Sequence, residues 1–517
     1  MEDLRAFMGF NVSDVDDEYS SSNNASDVDD EYSSSNNAHW SRKGLKEDEE
    51  VQFSEAEGWG DSGEGYILAP DHQQKDNLAF DTVSPSLSTV DIIRIAGKKF
   101  VGSSSESVDF QSLTSHAYDS SFFRLSNEEK EDVGLVESLL ASAGKVAHQQ
   151  FELASTLLNH CHSLSSKTGN AVKRVVSYFS EALRGRLDRE EGKISAEVLS
   201  QRQSFHPDDQ AFMNLDPSFL AYHVLLPFCQ VSFFCGIQAI IENVKGAKKI
   251  HVIDFAIRRG VQWSILMQAL ESRHECPVEL LKISAIGTTS KNSLEDAGKR
   301  LMNFAETMNI PFSFNIVMVS NMLDLHKNLF VIDPEEKLVV YSNTILRSML
   351  SQPGRLESVM KVIQSINPAI MVVAEIEAKH NAACFVNRFT EALFYFGTYF
   401  DCVEACMKKD DPNRMILESA YFGQGIRNIV AMEGEERKVR NVTVDVWRAL
   451  FERFGMVEKE LSVSSLYQSE LVAKRFACGS SCTFGMNKNC LLIGWKGTPL
   501  HSLSVWEFLD DDDDDGE

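Results

Sequence analysis

The chain has 517 residues, of which 43% are hydrophobic, and its formal net charge is −26. This length leaves room for one large domain or for two or three ordinary ones. Residues 1–130 carry a charge of −17 and residues 510–517 carry −7, which leaves only −2 for residues 131–509. A near-neutral body is not the basic surface expected of a protein that tracks the DNA backbone, and the acidic ends would repel a polyanion.

The N-terminus lacks a basic stretch followed by an apolar core, and no apolar run is long enough to span a membrane. These features predict a soluble intracellular protein. Cys402/Cys406 and Cys478/Cys482 share a four-residue offset, but no histidines accompany them at zinc spacing. We therefore interpret the cysteines as reduced structural thiols and predict no metal site. Three of them lie in apolar surroundings and are predicted to be small core residues: Cys229, Cys235 and Cys384.

Residues 1–130 are rich in Ser, Asp, Glu and Asn, and their sparse apolar residues show no sustained period, which predicts a disordered region. Within it the sequence SDVDDEYSSSNNA occurs twice in tandem, at 13–25 and 26–38. Copies this polar indicate a duplication more than a structural repeat. Two interpretations of the region stay open: an inert linker, or an acidic segment that binds partners through interspersed aromatic residues. Those aromatic residues are Tyr19, Tyr32, Trp40, Phe53 and Trp59.

From Leu135 the apolar residues recur three and four positions apart, as on one face of an amphipathic helix. Gly169 interrupts this pattern, which predicts two adjacent helices that form a helical cap. We hypothesise that the apolar stripe over Leu135–Leu164 binds a partner through a helix-in-groove contact, flanked by Arg174 and Arg186. The candidate interface residues are Leu139, Val146, Phe151, Leu157, Leu158 and Leu164. A third helical region, about Phe219–Val244, is so rich in apolar residues that it predicts deep burial.

Strands then alternate with helices, which predicts a parallel sheet with right-handed crossovers. The predicted strands are Ile250–Phe255, Val278–Ile286, Phe312–Met318, Leu338–Tyr341 and Ile370–Ile376. The predicted helices are Gln262–Ser272, Ser293–Met308, Pro353–Ile366 and Asn381–Phe400. Two late apolar runs, Leu471–Phe476 and Cys490–Trp495, predict an antiparallel hairpin at the edge of the sheet.

The segment Ile250–Leu270 reads IHVIDFAIRRGVQWSILMQAL, which predicts a buried strand, a tight turn and a crossover helix. This sequence resembles the VHIID motif of the plant GRAS family of transcriptional regulators. The matching positions include His251, Val252, Ile253, Asp254, Gly260, Gln262 and Trp263. Four further segments resemble other blocks of that family, in the family's order. Ala171–Arg186 resembles the end of the first leucine-rich region, and Phe394–Ala405 resembles the PFYRE block. Asn428–Ala431 with Trp447 resembles the next block, and Gly494–Trp506, which contains Trp495 and Trp506, resembles the SAW motif.

The resemblance implies a GRAS domain over residues 131–509, followed by an acidic tail at 510–517. The parts of that domain would be a first leucine-rich region and helical cap at 131–190, a second helical part at 215–249, a VHIID-type α/β core at 250–380 and a PFYRE- and SAW-like part at 381–509. The fold of the family is similar to that of class I methyltransferases. The expected fold class is therefore α/β: a Rossmann-like, methyltransferase-type, mostly parallel sheet with an α-helical cap, preceded by a disordered acidic region.

The resemblance also implies a non-enzymatic transcriptional regulator in the nucleus. It would act as a scaffold for DNA-binding transcription factors or other GRAS proteins, as a homodimer or heterodimer, with DNA contacted indirectly and no membrane involved. The body is nearest to the DELLA and SCARECROW-like branches, but residues 1–130 contain neither of the N-terminal DELLA motifs, so hormone-controlled degradation is not implied. The sequence departs from the family's usual motifs at two places. Ala256 stands where an acidic residue is usual, and Gln230–Cys235 differs from the common leucine-rich sequence.

A methyltransferase of this fold needs glycines after the first strand and an acidic residue at the end of the second. Here Phe255–Arg259 follow Asp254 and Ala285–Gly287 end the second strand, so both anchors are missing and no cofactor is predicted. We interpret Asp254 as a structural residue that accepts hydrogen bonds from backbone amides in the turn. Four tryptophans are interpreted as core residues: Trp263, Trp447, Trp495 and Trp506. Two alternative functions are direct sequence-specific DNA binding and, more remotely, S-adenosylmethionine-dependent methyl transfer.

Overall fold

The structure, a computed structural model, describes residues 87–103, 125–193, 216–352 and 354–508. The tandem repeat, the aromatic residues around it and the acidic tail at 510–517 lie outside these ranges. Within them, every helix is too short or too polar to cross a membrane.

Four helices form the N-terminal cap: α1 (Thr89–Ser103), α2 (Asn127–Ala147), α3 (Phe151–Leu164) and α4 (Ala171–Glu190). The hydroxyl of Ser126 and the carboxylate of Glu129 form a capping box that starts α2, and the Asn170 side chain accepts a hydrogen bond from the Lys173 amide at the start of α4. These side chains satisfy backbone N–H groups that have no partner within the helix. The helical cap predicted from the apolar periodicity is therefore present, but the single helix predicted before Gly169 is divided into α2 and α3.

Helix α1 lies within residues 1–130, which are predicted to be mostly disordered, and it is an exception to that prediction. Val90, Ile92, Ile93 and Ala96 are buried on one face of this helix, against α2 and against a long helix farther along the chain. The approach is close, because a Cβ atom added at Gly397 would lie within 2.3 Å of the Ile93 side chain. The average composition of 130 mostly polar residues does not reveal one helix of 15 residues with a single apolar face.

The third helical region consists of two helices, α5 (Asp216–Leu225) and α6 (Pro227–Asn243). Pro227 occupies the first turn of α6, where the missing N–H costs nothing because no intrahelical acceptor exists there. Most of α6 is buried, including Cys229 and Cys235, so the predictions of deep burial and of two core cysteines are confirmed. Cys384 is exposed, which contradicts its predicted core position, because it caps a helix at the surface instead of lying inside it.

In the described part of the chain, nine strands form one sheet in the order β3-β2-β1-β4-β5-β9-β8-β7, with β6 pairing to β9. The strands are β1 (Lys249–Asp254), β2 (Leu280–Gly287), β3 (Phe312–Met318), β4 (Glu336–Asn343), β5 (Ile370–Ile376), β6 (Met456–Lys459), β7 (Cys482–Asn487), β8 (Cys490–Trp495) and β9 (Thr498–Phe508). Strands β1 to β5 pair in parallel, and β9 pairs antiparallel to both β5 and β8. The predicted parallel core with an antiparallel edge is confirmed.

The run Leu471–Phe476 is not a strand, and this corrects the predicted hairpin. Leu471 to Ala473 end a helix, in which Val472 and Ala473 are buried and Leu471 is not. Strand β8 instead pairs with β7 and β9. An apolar run of this length fits the end of a buried helix as well as it fits a strand.

The remaining helices cover the two faces and the ends of the sheet. They are α7 (Val261–Glu271), α8 (Lys291–Thr307), α9 (Leu346–Met349), α10 (Arg355–Ile366), α11 (Phe385–Cys406), α12 (Pro412–Ile416), the π-helical turn Leu417–Gly423, α13 (Gln424–Val430), α14 (Val444–Glu452) and α15 (Val463–Ala473). The two largest apolar clusters among the described residues lie on opposite faces of the sheet; Val252 belongs to the first and Ile253 to the second. Alternate residues of a strand point to opposite faces, so both faces of β1 are buried.

Candidate functional sites

The turn after β1 is held together by Asp254. One carboxylate oxygen accepts a hydrogen bond from the Ala256 amide at 2.9 Å. The other accepts from Gln262 Nε2 at 3.1 Å and from Trp263 Nε1 at 2.8 Å. Burial raises the pKa of Asp254 to about 6. The carboxylate thus joins the strand to α7. One of its three donors is a backbone amide of the turn, and the other two are side chains of the helix.

Gly260 starts α7 in the left-handed region, with φ of 74°. A side chain at this position would be strained by its torsion angle, and its Cβ atom would lie 2.9 Å from the Leu301 side chain. Trp263 is fully buried and meets the Tyr341 ring edge-to-face at a centroid distance of 5.0 Å. Trp447, Trp495 and Trp506 are buried as well.

Little space remains at this turn, where a cofactor would lie in related folds. Phe255 and Ile257 are buried there, and the cavity bounded by Ala256, Arg259 and Gln262 has a volume of about 10 Å³. Such a volume holds about one water molecule. An adenosyl group does not fit the turn in this arrangement.

His251 lies inside the sheet and joins three strands. Its Nδ1 is 2.8 Å from a carboxylate oxygen of Glu336 on β4, and its Nε2 is 2.8 Å from the Ser284 hydroxyl on β2. Lys282 completes the group, with its amino nitrogen 3.1 Å from Glu336. Burial lowers the pKa of His251 to about 4, so the ring is neutral near pH 7. The first residue of the VHIID-like segment therefore fixes strand register.

Half of the predicted cap interface lies in the core. Leu139, Val146 and Leu158 are almost completely buried among α2, α3 and α4, so they cannot meet a partner while the cap is folded. The prediction of an interface is wrong for these three residues, because the apolar stripe that suggested it packs within the chain itself. Phe151 and Leu157 are half-buried, and Leu164 is 50% exposed.

One exposed apolar strip does remain on the cap. Leu153 is 55% exposed and lies on the same side of α3 as Leu157 and Leu164, at helical spacings of four and seven residues. We call these three residues the outer face of α3. Leu153 is not among the predicted interface residues, although its position one residue before the buried Ala154 places it on a different side of the helix from Ala154 and Leu158.

Arg174 and Arg186 do not flank an open surface, contrary to the prediction. Arg174 is buried and pairs with Glu418 at 3.0 Å and with Glu404 at 2.7 Å. Arg186 pairs with Glu433 at 2.6 Å. Both arginines connect α4 to the segments around α13, so their role is to fasten the cap to the rest of the domain.

A larger cavity of about 140 Å³ lies beside the turn, at the carboxyl edge of the sheet. Its wall includes Arg258 after β1, Thr344 after β4, Ile376 at the end of β5 and His501 near the start of β9. Helices α5, α6, α11 and α13 and the π-helical turn supply most of the remaining wall. This cavity was not predicted from the sequence, because its residues come from segments that are far apart in the chain.

Four buried histidines predict a loss of stability in acid. Burial lowers the pKa of His223 and His251 to about 4, and that of His380 and His501 to about 3. An unfolded chain takes up these protons near pH 6.5 and the folded chain does not. The stabilising effect is therefore complete above pH 6.5 and is lost as the pH falls towards the folded values.

For one of these histidines the effect can be isolated by substitution. His501→Gln should reduce the loss of unfolding free energy between pH 6.5 and pH 5 by about 1–2 kcal/mol, measured by urea denaturation at both values. His160→Gln, at an exposed position, is the matched control and should leave the loss unchanged. An identical pH dependence in wild type and His501→Gln would contradict the prediction. Because the buried carboxyls of Glu375 and Glu377 have raised pKa values and act in the opposite direction, the comparison must be between variants.

The sheet order and the helices on it define a methyltransferase-type α/β domain with a helical cap. The model of the GRAS domain family matches residues 135–507, and the chain therefore belongs to this family. It is 31% identical to DELLA protein GAI1 of Vitis vinifera over 74% of this chain and 63% of that protein, and 32% identical to DELLA protein GAI of Gossypium hirsutum over 73% and 68%. The chain spans less than two thirds of the length of the grapevine relative. It is also similar to the crystal structure of SCL7 from Oryza sativa, with a TM-score of 0.64 and 25% identity over 72% of this chain and 99% of that chain. Family and relatives together support a role in plant transcription regulation.

Proposed function

We propose that this protein is a non-enzymatic plant transcriptional regulator that acts in the nucleus. It serves as a scaffold for DNA-binding transcription factors or for other GRAS proteins, and it contacts DNA through them. The observation that supports the proposal is the turn after β1, where Asp254 accepts three hydrogen bonds from the turn and α7 and the cavity has only about 10 Å³. A fold of this type whose first turn leaves so little space is suited to binding macromolecules by its surface.

The outer face of α3 is the proposed contact surface on the cap. Leu153 and Leu164 are exposed and Leu157 is half-buried, although the neighbouring Ala154 and Leu158 are fully buried, so the helix has apolar residues on two sides. A partner helix with an apolar face could cover this strip in the way that amphipathic helices pack elsewhere. The buried half of the earlier candidate residues would then support the surface without touching the partner.

This surface predicts a specific loss of binding. Leu153→Asp combined with Leu164→Asp should reduce the recovery of DNA-binding factors by about tenfold, because a charge placed in an apolar contact is desolvated without a partner. The measurement is quantitative mass spectrometry of proteins that co-purify with the tagged full chain from plant nuclear extract. Val331→Asp is the matched control, since Val331 is 78% exposed and lies far from α3 in the chain.

Both variants change exposed residues, so their thermal unfolding should match that of the wild type. Equal recovery of DNA-binding factors with the double variant and with Val331→Asp would rule out the outer face of α3 as the contact surface. Sequence-specific binding of a DNA probe by the purified chain alone would favour direct DNA recognition over a scaffold.

A further inference from the structure

The cavity at the carboxyl edge of the sheet lies where open α/β sheets bind ligands. The strand order reverses between β1 and β4, since β2 and β3 lie on one side of that point and β5 lies on the other. Such a switch point leaves a crevice outside the carboxyl ends of the strands. The segments that follow these two strands contribute Arg258 and Thr344 to the cavity wall. The cavity is thus placed like a ligand site.

Two irregular pieces of backbone border the same cavity. Thr344 has a φ of 55°, in the left-handed region, which is an outlier for a β-branched residue. The π-helical turn Leu417–Gly423 contributes Leu417, Tyr421 and Phe422 to the wall. Rare backbone conformations and π-helical turns are both frequent at functional sites. Their presence in the wall of one cavity favours a ligand site over a packing defect.

Much of the wall is aromatic. Phe228 meets Tyr399 at a ring-centroid distance of 5.7 Å, and Tyr399 meets Phe422 at 5.0 Å. All three rings are buried and line the cavity. Rings arranged in this way pack well against another ring in edge-to-face or offset geometry. The cavity volume of about 140 Å³ is close to that of cavities in protein cores that hold benzene, so it fits one six-membered aromatic ring.

Polar groups interrupt the aromatic wall. The Tyr399 hydroxyl lies 2.6 Å from His501 Nε2 and 3.3 Å from the Tyr222 hydroxyl, so these groups bind one another. Ser232 on α6 is only 5% exposed and lines the cavity, and its hydroxyl has no hydrogen-bond partner in the part of the chain that the structure describes. A buried hydroxyl is normally satisfied by protein, water or a ligand. Ser232 can therefore bind a polar group of an occupant of the cavity.

The charged groups around the cavity do not favour an ionic ligand. Arg258 and Arg347 line the wall, and the carboxyls of Asp254 and Glu375 interact with these two arginines from outside it. The two arginines and the two carboxyls balance in number. An ionic ligand would lose its hydration in the cavity without meeting an excess of the opposite charge. A neutral ligand avoids this cost.

We propose that this cavity binds a small neutral phenol, a single aromatic ring that carries a hydroxyl group. The ring would lie among Phe228, Tyr399 and Phe422, and the hydroxyl would bind Ser232. The strand ends, α6, α11 and the π-helical turn would then all contact one molecule. This binding goes beyond the scaffold function and does not depend on the outer face of α3, so the two proposals can fail separately.

The test is a calorimetric titration of the full chain with phenol, toluene and benzoate. Toluene replaces the hydroxyl of phenol with a methyl group, and benzoate replaces it with a charged group. Phenol should bind saturably in the millimolar range or below, and benzoate should bind at least about tenfold more weakly because its charge is desolvated in the cavity. Absence of saturable phenol binding would show that the cavity holds only water and would overturn the proposal. Benzoate binding as tight as that of phenol would overturn the choice of a neutral ligand.

A change of one hydroxyl tests the proposed hydrogen bond. Ser232→Ala should weaken the binding of phenol about fivefold, the usual effect of one hydrogen bond, and should leave the binding of toluene unchanged. Ser342→Ala is the matched control, because it removes a buried hydroxyl that does not line the cavity, and it should change neither affinity. Equal phenol affinity in wild type and Ser232→Ala, or an equal loss for phenol and toluene, would overturn the role of Ser232.

A larger side chain at the same position tests the location of the ligand. Ser232→Leu fills part of the cavity and should abolish the binding of both phenol and toluene. Thermal unfolding of this variant reports whether its fold is intact, and Ser232→Ala decides the question if it is not. Phenol binding of unchanged affinity in a folded Ser232→Leu protein would place the ligand elsewhere and overturn the assignment.

Discussion

Replacing Asp254 with alanine should lower the free energy of unfolding by about 3–5 kcal/mol, measured by urea denaturation. Three buried donors would lose their acceptor at once: the Ala256 amide, Gln262 Nε2 and Trp263 Nε1. Each buried donor left without a partner costs about 1–3 kcal/mol, and a water molecule entering the space would recover part of the sum.

The matched comparisons separate this effect from a general sensitivity to losing a carboxylate. Asp254→Asn keeps an oxygen for the Ala256 amide but sets an NH₂ group against two donors, so its cost should be intermediate, about 2 kcal/mol. Asp296→Ala removes a carboxylate whose side chain is 61% exposed, and it should change stability by less than about 0.5 kcal/mol. An Asp254→Ala protein that unfolds like the wild type but loses partner binding would assign Asp254 a functional role instead.

The strand–turn–helix unit around Asp254 was predictable because its determinants are local. Apolar runs define β3 and β5, whose observed bounds, Phe312–Met318 and Ile370–Ile376, are those predicted. Gly260 marks the turn, and the three residues that donate hydrogen bonds to Asp254 lie within nine positions of it in the sequence. A sequence shows such short-range patterns directly.

Features that depend on distant contacts were not predictable in this way. The stripe over α2 and α3 has the same periodicity whether it faces a partner or the chain's own core, and only the packed structure shows Leu139 and Leu158 buried. The cavity was not predictable because Arg258 and His501, both in its wall, are separated by more than half the described chain. Periodicity predicts that a face is apolar, but it does not identify what covers that face.

Buried ion pairs between remote segments also depend on distant contacts and were not predictable from the sequence. Among them, breaking the pair of Arg174 with Glu418 should have the largest effect on the free energy of unfolding. The two residues are 244 positions apart, and their side chains are 3% and 2% exposed. Burial raises the pKa of Glu418 in spite of Arg174 and Arg414, so desolvation outweighs the attraction between the charges. The pair therefore contributes little net stability over an apolar pair, but losing one partner is costly because the other charge stays buried.

Arg174→Met should accordingly lower the free energy of unfolding by about 3–5 kcal/mol in urea denaturation. Glu418 would retain only Arg414, whose Nε is 3.4 Å away, and the Gly169 carbonyl would lose its donor. The exposed pair Lys361–Glu357 is the matched control, and Lys361→Met should cost less than about 0.5 kcal/mol.

The double variant Arg174→Met with Glu418→Met distinguishes a lost ion pair from lost packing. If an unpaired buried charge causes the damage, the double variant should be more stable than Arg174→Met alone, because neither charge is then buried without its partner. Arg414 loses one of its two carboxylates in that protein but keeps Glu404. Strictly additive losses would mean that Arg174 acts through the packing of its side chain, and α4 would then be fastened to the π-helical turn by shape and not by charge.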